Sequence, residues 1–152
     1  MATLVTISQK CQYALRAMFE LAIHYPSDQV IVLSEIALAQ DIPVRFLELI
    51  IAKLRKDGFV RSTRGQSGGY LIAKPPAQIS IGEIFRCMEG TGVEINVNSQ
   101  EIAGASERSD AFIFKSLWQE ARHAIAQVFD TKTLQDLIEK RKKSMSGFDY
   151  SI

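Results

Sequence analysis

The sequence predicts a mainly α fold with a small β-hairpin, and three observations predict it. Residues 41–74, DIPVRFLELIIAKLRKDGFVRSTRGQSGGYLIAK, read as a two-sided helix, an Asp57-Gly58 stop, and two strand-like runs around a glycine-rich tip. Before and after that stretch, apolar residues recur at three- and four-residue spacing, the period of helices with one buried face. A content of 47% apolar residues in 152 is enough for one core, as a single domain or a small domain with an extension. A helix followed at once by a basic hairpin is the outline of a winged helix-turn-helix.

Taken in order, Ser8 caps a first helix that runs to about His24, with Tyr13, Ala14, Ala17, Met18, Leu21 and Ala22 as its apolar face. Arg16 and Glu20 are four apart and can pair weakly. Lys10 and Gln12 can reach phosphates or simply face water. Val30-Ile31-Val32-Leu33 is a strand-like lead-in. Ser34 then caps a short second helix to about Gln40, packed through Ile36, Ala37 and Ala39. Asp41-Ile42 turns the chain into the third helix, and Pro43 suits its first turn.

In that third helix Phe46, Leu47, Ile50, Ile51 and Leu54 fall on one arc, which should face the core. The other arc holds Arg45, Glu48, Leu49, Ala52 and Lys56. Arg can pair with the O6 and N7 edge of guanine, Glu can accept from cytosine N4, and Leu49 or Ala52 can touch a thymine methyl. The plainer alternative is an ordinary solvated face. In the hairpin, Phe59-Val60-Arg61-Ser62-Thr63 pairs with Gly68-Gly69-Tyr70-Leu71-Ile72. The tip, from Arg64 and Gly65 to Gly69, has the glycines that permit positive φ. An Arg at such a tip can enter a narrow minor groove. Between Arg45 and Arg64 there are six Lys or Arg against two Asp or Glu, whereas the whole chain carries only +1. The positive charge is therefore focused, and phosphate binding needs only the local field. The glycines lack the Gly-Lys-Ser/Thr ending of a Walker-type loop.

After Pro75-Pro76, Ser80 caps a helix through about Glu89 with an apolar stripe of Ile81, Ile84, Phe85 and Met88, ended by Gly90. Residues 91–108 have no period and read as a loop, long enough to be of the functional or disordered kind. A long helix follows from about Asp110 to Phe129. Its Phe114, Leu117, Trp118, Ala121, Ile125 and Val128 recur close to a heptad seam, so it is expected to pair with its mate in a homodimer. The alternative is packing on the first helix. Thr131-Lys132-Thr133 breaks and recaps a last helix to about Lys140, and the basic run Lys140 to Lys143 leads into a mobile tail. The expected organisation is a DNA-binding domain over 1–90, the loop 91–108, a dimerisation helix and C-terminal helix over 109–143, and the tail 144–152.

No run of about 18 apolar residues is present, so no membrane span is expected. The start, MATLVTISQK, lacks a secretory apolar region. Two cysteines 76 positions apart suggest neither a disulfide framework nor a zinc module, and fit a reducing cytoplasm. There is no Ser-His-Asp or Cys-His arrangement, no carboxylate pair on one helix face and no dinucleotide fingerprint, so no enzyme is expected.

YALRAMFELA, LSEIALAQDIPVRFLELIIAKLRKDGFVRSTRGQSGGYLIAKPP, ISIGEIFRCMEG and the Leu117-Trp118 helix ending in DTKTLQDL resemble the Rrf-type transcription regulators. This is the family of the iron–sulfur regulator IscR and the nitric-oxide sensor NsrR. The resemblance covers about residues 5 to 138, and LRKDGFVRSTRGQSGGY is its specific part. It implies a dimeric winged-helix regulator, most simply a repressor, that reads an inverted-repeat operator on double-stranded DNA. By position the readers are Arg45, Phe46, Glu48 and Arg64. Leu49 stands where the iron–sulfur regulator has a polar residue, so that regulator's operator preference need not transfer.

The resemblance makes residues 91–108 the sensor-type loop. Family members that hold a cluster have three cysteines in the loop after the ISIGEIF-like helix, and residues 91–108 contain none. Lys115 and Gln12 stand at or near the positions where different members supply a fourth ligand. A thiolate-held cluster needs several soft ligands in reach, so no cluster of the usual kind and no other cofactor are expected. Cys11 and Cys87, with His24 or His123, are the remaining metal or redox candidates, against the simpler reading of both thiols as small buried hydrophobes. His24 is more simply a residue favoured at a helix C-terminus. Cluster-free relatives exist, at least one of which senses metabolism through an enzyme partner, so the resemblance allows a protein effector. An adaptor that uses the winged helix to hold another protein is the alternative function.

Overall fold

Most of the described helices pack around the first. In a computed structural model, residues 6–65, 68–90 and 110–149 are described, as six α-helices, one 3-10 turn and one hairpin. Helix α1 spans Gln9–Ile23, α2 Leu33–Gln40 and α3 Val44–Lys56. Strands β1, Val60–Thr63, and β2, Gly69–Ile72, pair antiparallel with Val60 opposite Ile72 and Thr63 opposite Gly69. A 3-10 turn at Pro76–Gln78 leads to α4, Ile81–Glu89, and then come α5, Ala111–Thr131, and α6, Leu134–Asp149.

Helix α1 touches α2, α3, α4, α6 and β2. Its buried residues are Cys11, Ala14, Ala17, Met18, Leu21 and Ala22. Three alanines and a cysteine leave room for several neighbours to approach closely, while Met18 and Leu21 fill the gaps between them. Ser8 accepts from the Cys11 N–H and starts the helix, as expected. The four-residue pair expected between Arg16 and Glu20 does not form. Arg16 instead donates to the backbone carbonyls of Gln40 and Asp41 and lies over the Tyr13 ring, while Glu20 takes Gln40 Nε2 at 2.8 Å and faces His24. The orphan carbonyls at the C-terminus of α2 are a better partner for a guanidinium than an exposed carboxylate is.

Helix α2 starts two residues earlier than the sequence suggested. The Val32 carbonyl accepts from the N–H groups of Glu35 and Ile36, so Ser34 lies inside the first turn and does not cap it. Ile36 and Ala37 are buried, but Ala39 is exposed, because a helix this short turns only one narrow face to α1. The strand-like run 30–33 reduces to a single bridge, Ile31 with Tyr70, with N···O distances of 3.0 and 2.8 Å. A Cβ at Gly69 would approach the Ile31 carbonyl to 2.8 Å, so only glycine fits beside that bridge.

Two reciprocal caps meet where α4 and α6 begin. Ser80 Oγ accepts from the Glu83 N–H, and Glu83 accepts from the Ser80 N–H at 2.8 Å. Thr133 and Asp136 repeat the arrangement at 3.2 and 2.9 Å. Ile81 N–H donates to Lys132 O, and Leu134 N–H to Ile79 O, which joins the two helix starts. Helix α5 lies on α4, where Phe129 stacks on Phe85 at 4.7 Å and Asp130 takes Arg86 at 2.7 Å. Packing on α1, the alternative weighed for this helix, is not its main contact.

The last helix runs through Asp149, beyond the end expected at about Lys140. Ile138 is buried, Arg141 lies over the Phe19 ring at 5.7 Å, and the Lys140 to Lys143 run consists of good helix formers. The loop 91–108 lies outside the described residues. No described helix is long and apolar enough to cross a membrane.

Ser80→Ala and Thr133→Ala should each lower stability by about 1 kcal/mol in urea unfolding; unchanged midpoints in both would show that the caps carry no stability. The Thr133 backbone N–H holds the Asp136 carboxyl below its usual range. Its contribution is therefore present above about pH 3.9 and is lost as pH falls through the lower folded value. Asp136→Asn should flatten the acid side of the stability profile, and an unchanged profile would contradict this assignment.

Candidate nucleic-acid interface

The turn between α2 and α3 is held from both sides. Asp41 ends α2 in the left-handed region at φ 52°, and Ile42 behind it is buried. Arg16 of α1 ties down the carbonyls of Gln40 and Asp41. The entry angle of α3 is thus set by α1, through a side chain that sequence spacing assigned to a different partner. Pro43 sits at the N-cap of α3, and Leu47, Ile50, Ile51 and Leu54 are buried.

Those four side chains determine which residues face out. Arg45, Glu48, Leu49, Ala52 and Lys56 are all exposed. Phe46, which the helical arc assigned to the core, is exposed too, at 58%. It lies at the edge of the buried arc, where its ring reaches only the Tyr13 ring, with centroids 6.4 Å apart. Leu49 is 73% exposed and Leu38 of α2 86%. Nothing within the described chain explains large apolar side chains in those places. The resemblance had placed Phe46 among the readers, and its exposure is consistent with that role; periodicity alone misassigned it. Leu38 was missed, and its only signal was a leucine outside the apolar face of a short helix.

At the far end of α3 the Asp57-Gly58 stop forms as read, with Gly58 at φ +87° and the Phe59 N–H donating to Leu54 O. Arg55 donates to the Ser62 hydroxyl at 3.2 Å, which links the end of α3 to β1. Arg61 and Arg64 are exposed, and Gly65 turns the tip at φ +112°, a conformation open to glycine. Gln66 and Ser67 lie outside the described residues. Among the described residues, Arg45, Lys56, Arg61 and Arg64 have no carboxylate within salt-bridge distance, whereas Lys53 is 3.7 Å from Asp57. Arg45, Arg61 and Arg64, with Lys56 near Asp57 but not bridged to it, form a cationic surface suited to polyanions.

The expected seam residues of α5 are partly or largely open to solvent. Phe114, Leu117 and Val128 are exposed, and Trp118, Ala121 and Ile125 are half-buried. Phe112 and Ile113, absent from the expected set, are exposed as well.

Of the two thiols, Cys11 lies inside the core and Cys87 lies against the C-terminal end of α3. Cys11 is fully buried on α1 and is pushed up to about 11, chiefly by burial. Cys87 of α4 donates to Asp57 at 2.9 Å and is pushed up to about 12 by burial and by that carboxylate. In return the thiol holds the Asp57 carboxyl below its usual range.

A family model named Rrf2 and described as "Iron-dependent Transcriptional regulator" matches residues 7–140. An HTH-type transcriptional regulator of Mycobacterium tuberculosis is 34% identical over 131 residues, which are 86% of this chain and 80% of the relative. Among solved structures, T. potens IscR superposes with a TM-score of 0.74 at 33% identity, covering 92% of this chain and 90% of that one. CymR, the global cysteine regulator of B. subtilis, gives 0.75 at 32% identity, covering 90% and 98%.

The matching description names iron, and a thiolate-held cluster needs several soft ligands. This chain has two cysteines, both favoured as neutral thiols. Among the described residues no three His, Cys, Asp or Glu side chains converge on a point where a metal ion could sit. That donor set does not fit such a cluster. Both thiols should react with a maleimide at pH 8 at least tenfold more slowly than free cysteine, since the thiolate is the nucleophile. Asp57→Asn should accelerate Cys87 alone. Free-thiol rates in the native protein would contradict the geometry.

Proposed function

The chain belongs to the Rrf2 family and is a DNA-binding transcriptional regulator; from that premise we propose that it acts as a homodimer on an inverted-repeat operator, most simply as a cytoplasmic repressor. Helix α3 supplies the base readers, Arg45, Phe46, Glu48 and Leu49, with Lys56 and Arg61 on phosphates and Arg64, beside Gly65, in the minor groove. The observation that carries this reading is the exposure of all of these residues around a buried arc that fixes how α3 is rotated. No iron–sulfur cluster of the usual kind takes part. The thiols have structural roles.

The dimer reading rests on α5. Covering Phe112, Ile113, Phe114, Leu117 and Val128 in both copies involves ten partly exposed apolar side chains. At about 1 kcal/mol each they contribute on the order of 10 kcal/mol. Association costs about 4–15 kcal/mol, so this face is large enough to matter and no larger than needed.

Selection from random duplexes should yield an inverted repeat. Binding to it should weaken steeply with salt. Arg64→Ala or Glu48→Ala should each cost about 1–3 kcal/mol on that site and relax its sequence preference. Salt-insensitive binding, or selection of no repeat, would overturn the reading. Leu117→Glu should give a monomer in sedimentation with unchanged helix content, and a dimer in that variant would remove α5 from the interface. Protein purified without oxygen should show no visible absorption bands, and cluster bands would contradict the cluster-free reading.

A further inference from the structure

A cleft of about 420 Å³ opens between α1, α3 and the end of α4. Its walls are mostly apolar: the Tyr13 ring on α1, Phe46, Leu49 and Ile50 on α3, and Met88 on α4. The Lys10 and Lys53 side chains line it as well, one on each opposing helix. That volume lies within the range of small-molecule sites, and an apolar chamber with a few placed polar groups is their usual composition. Lys53 is paired with Asp57 at 3.7 Å, a carboxylate that also accepts from the Cys87 thiol, and Glu89, which accepts from the Ser8 hydroxyl, lies within the field of Lys10.

We propose that this cleft binds an amphipathic organic anion, an aromatic or aliphatic body carrying one carboxylate, and that its occupancy opposes DNA binding. Charge complementarity selects the occupant: the Lys10 and Lys53 ammonium groups flank an apolar chamber that no carboxylate lines among the described residues. The tilted Tyr13 and Phe46 rings suit a flat apolar body, and the lysines suit its anionic end. Coupling to function follows from shared residues and from charge. Phe46 and Leu49 both line the cleft and stand among the proposed base readers. A carboxylate held beside Lys10 and Lys53 also lowers the positive potential next to the helix that meets phosphates. This inference names an effector for the regulator proposed above and rests on that reading for its consequence, although not for the binding itself.

The test uses the full-length protein and 2-naphthoate as probe, with 2-naphthalenemethanol as its neutral counterpart. Calorimetry without DNA should show one 2-naphthoate per chain and binding of the alcohol at least tenfold weaker. Lys10→Met should weaken 2-naphthoate at least fivefold. Gln9, exposed at the cleft where its amide donates to the Tyr13 hydroxyl at 2.7 Å, gives the blocking variant Gln9→Trp, which should abolish binding. Saturating 2-naphthoate should weaken binding to the selected duplex at least fivefold in the wild type and not in Gln9→Trp. No heat with either probe, equal affinity for acid and alcohol, or unchanged binding in Gln9→Trp overturns the proposal. So does 2-naphthoate binding that leaves duplex affinity unchanged. Protection of Lys10 from acylation in the ligand-free protein would show that the cleft is already covered, and also overturns it. Duplex binding measured without the probe reports separately on the regulator reading, so failure of one is distinguishable from failure of the other.

Discussion

The docking of Leu47, Ile50, Ile51 and Leu54 into the core fixes the rotation of α3 about its own axis. A turn of about 100° per residue leaves little freedom once four buried side chains are seated. Arg45, Glu48, Leu49, Ala52 and Lys56 then have nowhere to point except outward. The remaining structure serves that placement. Helix α1 presents alanines so that α2, α3, α4 and α6 can all approach it, and its Arg16 locks the turn that sets the approach of α3. Arg55 links the far end of α3 to the hairpin, so helix and ribbon meet as one surface.

Much of this was legible in the sequence. The apolar periods of α1, α3 and α4, the Ser8 and Ser80 caps, the Asp57-Gly58 stop and the hairpin strands follow from local chemistry, and local chemistry is what a sequence displays. The misreadings share another cause. Arg16 had an acceptable partner four residues away but found two orphan carbonyls from a segment 24 residues distant. Ser34 is a good cap that was pre-empted by the Val32 carbonyl. Phe46 fits the apolar period yet lies at its edge, where only the width of α1 decides whether it is covered. The extent of α6 depends on Ile138 and Arg141 meeting α1, which no pattern within residues 134–149 reveals.

Of the interface, the sequence displayed the charges and their clustering but not their freedom. A local excess of positive charge could have been cancelled by folding, and for Lys53 it partly is. That Arg45, Lys56, Arg61 and Arg64 form no salt bridge among the described residues is a tertiary result. The exposure of Phe46 and Leu38 was equally hidden, whereas the helical period had already set Leu49 outside the buried arc. Such residues are costly to leave in water, and the two surfaces that carry them, the reader helix and α5, are the places where a partner would offset that cost.

The most direct test of the account places a photo-crosslinking residue at Ala52, at Arg64 or at Glu139, each exposed, and irradiates the protein with the duplex it selects. The account predicts crosslinks to DNA from Ala52 and Arg64 and none from Glu139 on α6. Crosslinks from Glu139 alone, or from neither Ala52 nor Arg64, would contradict it.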